Sequence, residues 1–487
     1  MSPRIALLLA IPAAAALAAW FSRNVRAQLA LLLAAALSHA AIVGSLWLDL
    51  PPPAPGALLG LDALGLLVLT LASTLFLASA LYSIPYLTEG THDEPSGPLR
   101  YAPILLAFLG AMSLVTVSRH LALLWAAVEA TTLASAPLIY FYRRPGSLEA
   151  AWKYLLICSV GIALALLGTF FLGVAAAGPD GHGPGLGIDE LFRAAPRLDH
   201  RWLRAAFVLA LVGYGTKMGL APMHTWLPDA HGQSPSPVSA LLSGALLNCA
   251  LLGILRFHAI NAAAGDPGIS GEMLLVLGFA SLLVGTASLF GQRDYKRLLA
   301  YSSVENMGVI AIGIGLGGAA AYGGLLHLVN HSLAKGALFL LSGNVLRAYG
   351  TTSSQGVRGA RRRIPLSAAL LGLAVLAIGG SPPFGPFVSE LTIFLDAMRH
   401  GAPWIGVAFV TLLGLAFVAM AAAIVPMLQG DDAGCPKSPA PRSKRHRLLA
   451  VGPPAVLVAL VLILGLRVPR ALDAMLRGAA AILGGAS

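Results

Sequence analysis

The sequence predicts an all-α integral membrane protein with about fourteen transmembrane helices, and three observations carry that prediction. Of its 487 residues, 57% are apolar and only 11% are charged, less than half the roughly 25% of an ordinary globular chain. The mean hydropathy is +0.79. The apolar residues gather into long runs, among them 27–48, 57–84 and 451–466, and about 20 such residues are what a helix needs to cross a hydrocarbon core of about 30 Å. A lipid membrane is the first partner.

Composition also excludes other classes. A formal charge of +11 would suit nucleic-acid binding if it lay on one face. The basic residues are instead scattered over short loops between apolar runs, the pattern of positively charged inner loops, and no nucleic-acid partner is expected. Cys158, Cys249 and Cys435 share no metal-ligand spacing, and no glycine-rich phosphate loop is present. No cofactor or metal is therefore expected, and redox chemistry has to come from other chains.

Taken in order, the spans are expected at 4–21, 27–49, 57–85, 101–118, 120–142, 149–176 and 203–226, then at 236–258, 272–290, 297–316, 319–347, 365–399, 403–428 and 448–467. The first resembles a signal peptide, but Trp20, Phe21 and the second run that follows at once fit a membrane helix better. Residues 470–482 read as a short amphipathic tail helix. Arg23 with Arg26, Arg143 with Arg144, Arg293 with Lys296 and Arg297, and the clusters at 358–363 and 437–447 share one side if both termini lie outside. The loop-charge rule favours that orientation, in a bacterial inner membrane.

Two spans are interrupted. Pro222 follows Lys217 in the seventh, and a glycine- and proline-rich stretch, Gly379 to Pro386, breaks the twelfth just before Glu390. Proline removes a backbone donor and clashes with the preceding turn, so such breaks survive at membrane depth only when buried in protein or lining a wet cavity. Paired breaks point to an internal repeat and an ion path. Their separation by five spans suggests units 101–258 (spans 4–8) and 272–428 (spans 9–13), inverted because five is odd. Residues 1–100 carry spans 1–3, and 448–487 carry the last span and the tail.

The few charges inside the spans are the candidate site. The chain has 26 arginines and six lysines. Arginine dominates the loops, whereas Lys153, Lys217 and Lys335 fall within apolar spans. Arginine keeps its proton in proteins, and a buried lysine can give one up. Glu129, Glu305 and Glu390 also lie within spans, where ionisable groups are costly and functional by default. Glu129 also reads as a structural carboxylate, Lys153 as a side chain snorkelling to the interface, and Asp62, at the start of the third span, as a helix cap or interface group. His327, His331 and Lys335, spaced by four, share one helical stripe. Haem or zinc ligation, a buried polar contact and a proton relay all fit two such histidines. The absence of a second ligand pair and the lysine that continues the stripe favour the relay. Glu305 lies in a Ser- and Asn-rich patch from Tyr301 to Gly308. His224, Asp229 and His231, just past a span end, either feed protons inward or cap a turn.

At these residues the sequence resembles a known family. The stretch from Lys217 to His231, followed by Ser234 to Ala240, is similar to the signature of antiporter-like proton-translocating subunits. These occur in respiratory complex I, in multisubunit cation/proton antiporters and in membrane-bound hydrogenases. Gly60 to Leu64, Asp294 to Ser302 and the His327, His331, Lys335 stripe also match. The resemblance implies fourteen helices in two inverted five-helix units. Residue by residue, it implies a switching pair of Glu129 with Lys217, a sixth-helix lysine in Lys153, a central relay of His327, His331 and Lys335, and a terminal acid in Glu390. Asn248 departs from the pattern, standing where many members carry a lysine, so the central link there would need water or the histidines. The motifs from Trp125 to Tyr140 and from Ser303 to Gly308 look most like the component F group of hydrogenase 4, with complex I next. The expected function is thus ion translocation, of H+ or Na+, driven by other membrane and peripheral subunits. A stand-alone cation/proton antiporter and a subunit of an inorganic-carbon uptake complex are the rivals.

Overall fold

The computed structural model describes residues 2–484 apart from 55, 89–97, 178–182, 184, 400–402 and 431–442. Cys435 lies outside the described residues. The chain begins with α1 (Pro3–Phe21), α2 (Val25–Leu48), α3 (Ala63–Thr88), α4 (Pro98–Val117), α5 (Leu121–Ile139) and α6 (Pro145–Ala176). A short α7 (Ile188–Ala194) precedes α8 (His200–Met218), α9 (Trp226–Gln233), α10 (Ser236–Leu241) and α11 (Leu247–Ala263). Next come α12 (Pro267–Leu289), α13 (Tyr295–Leu316), α14 (Gly318–Tyr349), α15 (Ala360–Arg363), α16 (Pro365–Ile378) and α17 (Gly385–Arg399). The end is α18 (Pro403–Gln429), α19 (Lys444–Leu466) and the amphipathic α20 (Arg470–Leu483). Among the described residues no strand forms; isolated backbone bridges such as Leu59 to Ser118 and His120 to Gly187 fasten loops together.

Thirteen helical stretches of the described residues are long and apolar enough to cross a membrane. One of them, 200–233, joins α8 and α9, and another, 236–263, joins α10 and α11 through a π turn at Leu242–Leu246. The expected twelfth span is divided into α16 and α17, which accounts for the fourteenth. The expected seventh span ran only to 226; the helix resumes after its break and continues to Gln233. His224, Asp229 and His231 therefore sit inside this stretch and not beyond its end.

Small residues decide which helices touch. Along α12, Gly271 and Gly278 face Gly315 and Gly308 of α13 at the same seven-residue spacing. A Cβ at Gly271 would come within 2.7 Å of the Gly315 carbonyl oxygen, and one at Gly315 within 2.7 Å of the Gly271 oxygen. Close backbone approach through small residues is how membrane helices gain packing without a hydrophobic drive. The spanning parts of 236–263 and 318–349 are buried on every side, so α11 and α14 form the centre of the bundle.

An ion network ties that centre to the bundle's edge. Asp62 caps α3 by accepting from Gly65 N at 2.9 Å. Its carboxylate also takes Arg119 Nη1 at 2.6 Å and both terminal nitrogens of Arg256, one of them at 2.8 Å. Arg119 reaches on to Asp189. Burial would raise the Asp62 carboxyl, but the Arg256 and Arg119 guanidiniums outweigh it and hold it well below the usual carboxylate range. The third span thus starts at Ala63, with Asp62 as both cap and interface group. Arg256, which sequence reading passed over, is fully buried within α11.

Asp62→Asn leaves Arg256 buried with half its partner gone, so it should lower unfolding stability by about 3–5 kcal/mol. Arg4→Ala breaks an exposed pair with Asp49 and that arginine's bonds to the Ser45 and Asp49 carbonyls, and in this exposed setting it should cost no more than about 1 kcal/mol. Unfolding of the purified chain in detergent measures both; equal losses would contradict the assignment.

Candidate functional site

The first break positions Lys217. Gly219 ends α8 with φ of +84°, a left-handed conformation suited to glycine, and Trp226 Nε1 donates to the freed Thr216 carbonyl at 2.8 Å. Lys217, fully buried in the last turn of α8, donates to Thr132 Oγ1 at 2.6 Å and to Tyr154 Oη at 2.7 Å. Tyr154 is fixed by Ser135 at 2.6 Å and by packing on Trp226. Thr132 in turn donates to Glu129 Oε2 at 3.1 Å, and Ser159 donates to Oε1 at 2.7 Å. The expected Glu129–Lys217 pair is thus joined through one hydroxyl. Glu129 and Thr132 lie one turn apart on α5, on one face, and the threonine occupies the point where the two charges would meet.

Next to Lys217 lie Cys158 and Cys249, close enough to interact electrostatically. The residue beside Cys249, Asn248, donates to Gly244 O at 2.7 Å and to Ser332 Oγ at 2.8 Å. This bond crosses from α11 to α14 beside His331. Among the described residues the carbonyl oxygen of Asn248 and both ring nitrogens of His331 are buried without a hydrogen-bond partner. One turn further, Lys335 donates to Leu299 O at 2.9 Å and to Ser302 Oγ.

The far end gathers on α13, α14 and α17. His327 has Nδ1 3.0 Å from Ser389 Oγ and Nε2 3.0 Å from Asn306 Oδ1. Both ring nitrogens are engaged, which leaves neither as a metal ligand. Asn306 donates to Ser302 O at 2.7 Å and to Glu305. Glu390 Oε1 stands 4.0 Å from His327 Nδ1. The second break supports this acid, since a Cβ at Gly380 would collide with its carboxyl. Glu390 also borders a cavity of about 450 Å³ otherwise walled by Phe387, Phe394, Phe409 and Phe417.

The structure therefore joins Glu129 to Lys217, ties Asn248 to α14, the helix of His331, and links Lys335, Glu305, His327 and Glu390 through Ser302 and Asn306, and it leaves others out. Lys153, expected as a sixth-helix lysine of the relay, is exposed on α6 and paired with Glu149 at 2.6 Å and Asp229 at 3.1 Å, as the snorkelling alternative required. That helix starts at Pro145, and the neighbouring Trp152, Leu156 and Val160 are exposed as well, so the lysine is on the outward face. Asp229 is shared with Arg297 at 2.9 Å. His224 packs edge-on against Tyr301, and His231 is fully buried, stacked on Phe339 with a centroid distance of 4.7 Å. Lys296, expected to mark an inner loop, is buried in the first turn of α13 and donates to the Ser234 carbonyl. Its neighbours Arg293 and Arg297 made it read as one more loop charge.

Residues 118–416 match the family model described as NADH:quinone oxidoreductase/Mrp antiporter, TM. A hydrogenase-4 component F homolog of Methylacidiphilum infernorum (isolate V4) is 38% identical over 385 residues, 77% of this chain and 81% of the relative. NADH-quinone oxidoreductase subunit N of Desulforudis audaxviator (strain MP104C) is 31% identical over 425 residues, covering 86% and 82%. A chain of the membrane-bound sulfane sulfur reductase, an archaeal respiratory membrane complex, superposes with a TM-score of 0.86 over 100% of this chain and 98% of its own, at 21% identity. That likeness concerns the fold.

Lys217 is a buried cation without a directly bonded carboxylate, and Thr132 and Tyr154 keep other partners if it is removed. Lys217→Met should therefore be neutral or stabilising, by up to about 4 kcal/mol, read as an unchanged or raised unfolding temperature in detergent. A loss of about 3 kcal/mol or more would make Lys217 a structural tie and not a functional charge.

Proposed function

The chain belongs to the NADH:quinone oxidoreductase/Mrp antiporter transmembrane family, and on that footing we propose that it is the proton-translocating, antiporter-like membrane subunit of a multisubunit complex of the hydrogenase-4 type. One observation carries this reading: Glu129 is joined through Thr132 to the buried Lys217, and the buried Lys335 is linked through Ser302 and Asn306 to His327 beside Glu390, with a helix break beside Lys217 and another beside Glu390. The hydrogenase-4 component F relative, matched over most of both chains, supports the choice of complex. The two five-helix units, 101–258 and 272–428, would then each contribute one broken helix to the path, and both termini would lie outside.

The mechanism follows from how the charges are held. While Thr132 bridges Lys217 to Glu129, the carboxylate favours the ammonium. If Glu129 withdraws, a lone ammonium in a low-dielectric interior is unfavourable, and its proton has a route past Asn248 and His331 to Lys335. His327 and Glu390 form the far end. Fixed ammonium groups along this line repel a sodium ion, which favours H+ as the cargo. Moving one charge against a potential takes about 2.3 kcal/mol per 100 mV. That energy has to come from partner subunits, which also supply the redox chemistry.

The test is proton translocation by the assembled complex in vesicles. Lys335→Met and Lys217→Met should each lower it by about 10²-fold or more, the scale of a lost acid–base group, whereas the outward-facing Lys153→Met should leave it unchanged. Full translocation in Lys335→Met would sink the reading. Mass spectrometry of the complex from native membranes identifies the assembly: hydrogenase subunits are expected, and quinone-linked dehydrogenase subunits would place the chain in a complex I-type assembly instead.

A further inference from the structure

Of the two side chains hydrogen-bonded to the His327 ring, Asn306 has its own bonds fixed, and this determines where the ring carries its proton. The Asn306 amide nitrogen faces two acceptors, the Ser302 carbonyl at 2.7 Å and the Glu305 carboxylate. Its NH2 group must therefore point at them, and its oxygen must point at His327 Nε2, 3.0 Å away. A carbonyl oxygen only accepts, so Nε2 has to donate. On the other side of the ring, Ser389 Oγ lies 3.0 Å from Nδ1 and donates its one proton to the Pro386 carbonyl at 2.8 Å, a proton it can turn to Nδ1 instead; Glu390 is 4.0 Å from the same nitrogen.

We infer that Asn306 is a positioning residue that sets the tautomer of His327, holding the proton on Nε2 and leaving Nδ1 as the basic nitrogen turned towards Ser389 and Glu390. The amide has a second effect. It touches Glu305 and His327 at once, yet it has no titratable proton to pass between them. A proton crossing from the Lys335–Glu305 end to the His327–Glu390 end therefore has to pass beside the amide and not through it. One helical turn of α13 does both jobs, because Ser302, which accepts from Lys335, lies four residues before Asn306 and receives its amide proton. The consequence for transport rests on the function proposed above; the tautomer does not.

The experiment is nitrogen-15 NMR of the full chain in lipid bilayers with labelled histidine, the His327 signals being assigned by their loss in His327→Gln. Wild type should show a protonated Nε2 and an unprotonated Nδ1; the opposite tautomer overturns the inference without any further variant. Asn306→Leu removes the acceptor and should shift the tautomer ratio by about tenfold, the effect of one net hydrogen bond. Ser389→Ala should leave Nε2 protonated, since Ser389 follows the tautomer and does not set it. An unshifted ratio in Asn306→Leu, or an equal shift in Ser389→Ala, also overturns it. In the assembled complex, Asn306→Leu should lower proton translocation about tenfold. Unchanged translocation in Asn306→Leu, beside its loss in Lys335→Met, overturns the positioning role alone, whereas unchanged translocation in both defeats the broader reading.

Discussion

An ammonium group buried in a helical bundle must find its hydrogen bonds on neighbouring helices, because neither lipid nor its own backbone can supply them. Three lysines, Lys217, Lys296 and Lys335, meet this requirement in the described residues, and much of the architecture follows from how they do it. Lys217 takes hydroxyls from α5 and α6, Lys296 takes a carbonyl just past the end of α9, and Lys335 takes a carbonyl and a hydroxyl from α13. None of these bonds is a direct ion pair with a carboxylate. By contrast direct carboxylate pairs form elsewhere, among them Asp62 with two arginines and Asp229 with Lys153 and Arg297.

This division has a physical logic. A direct buried ion pair with good geometry is hard to open, since parting it leaves a charge uncompensated at a cost of about 3–5 kcal/mol. A charge held by neutral hydroxyls keeps its local bonds when a distant carboxylate moves, so the electrostatic contribution changes while the scaffold does not. The Asp62–Arg256 network belongs to the first kind and suits a permanent tie. The Glu129–Thr132–Lys217 arrangement belongs to the second and suits a site that must change state repeatedly.

The helices and both breaks were legible in the sequence, because long apolar runs and prolines act locally. The stripe of His327, His331 and Lys335 was legible for the same reason, its spacing being a property of one helix. What could not be read was rotation. The helix α6 is apolar over most of its length, and only the polar turn just before Lys153 left the outward, snorkelling reading open. Lys296 was hidden by the opposite effect, standing among loop arginines although it is buried. Thr132 and Asn306 escaped notice because threonine and asparagine are ordinary residues, and only the approach of a second helix turns them into a bridge and a tautomer lock. Arg256 did leave a signal, a single arginine in an apolar run, and intramembrane charges are functional by default.

The departure at Asn248 is then less of a gap than the family pattern suggested. A lysine there would place a third cation between Lys217 and Lys335 in the low-dielectric centre, where each added like charge raises the cost of the others. Asparagine instead ties α11 to α14 through Ser332, and among the described residues its carbonyl oxygen and the ring nitrogens of His331 have no hydrogen-bond partner. An acceptor and an open histidine can orient water where a fixed charge would compete for the same proton. On the proposed relay the central link would be a neutral segment between two charged stations, and the timing of proton passage would fall to the stations themselves, Lys217 with its distant glutamate and Lys335 with Glu305.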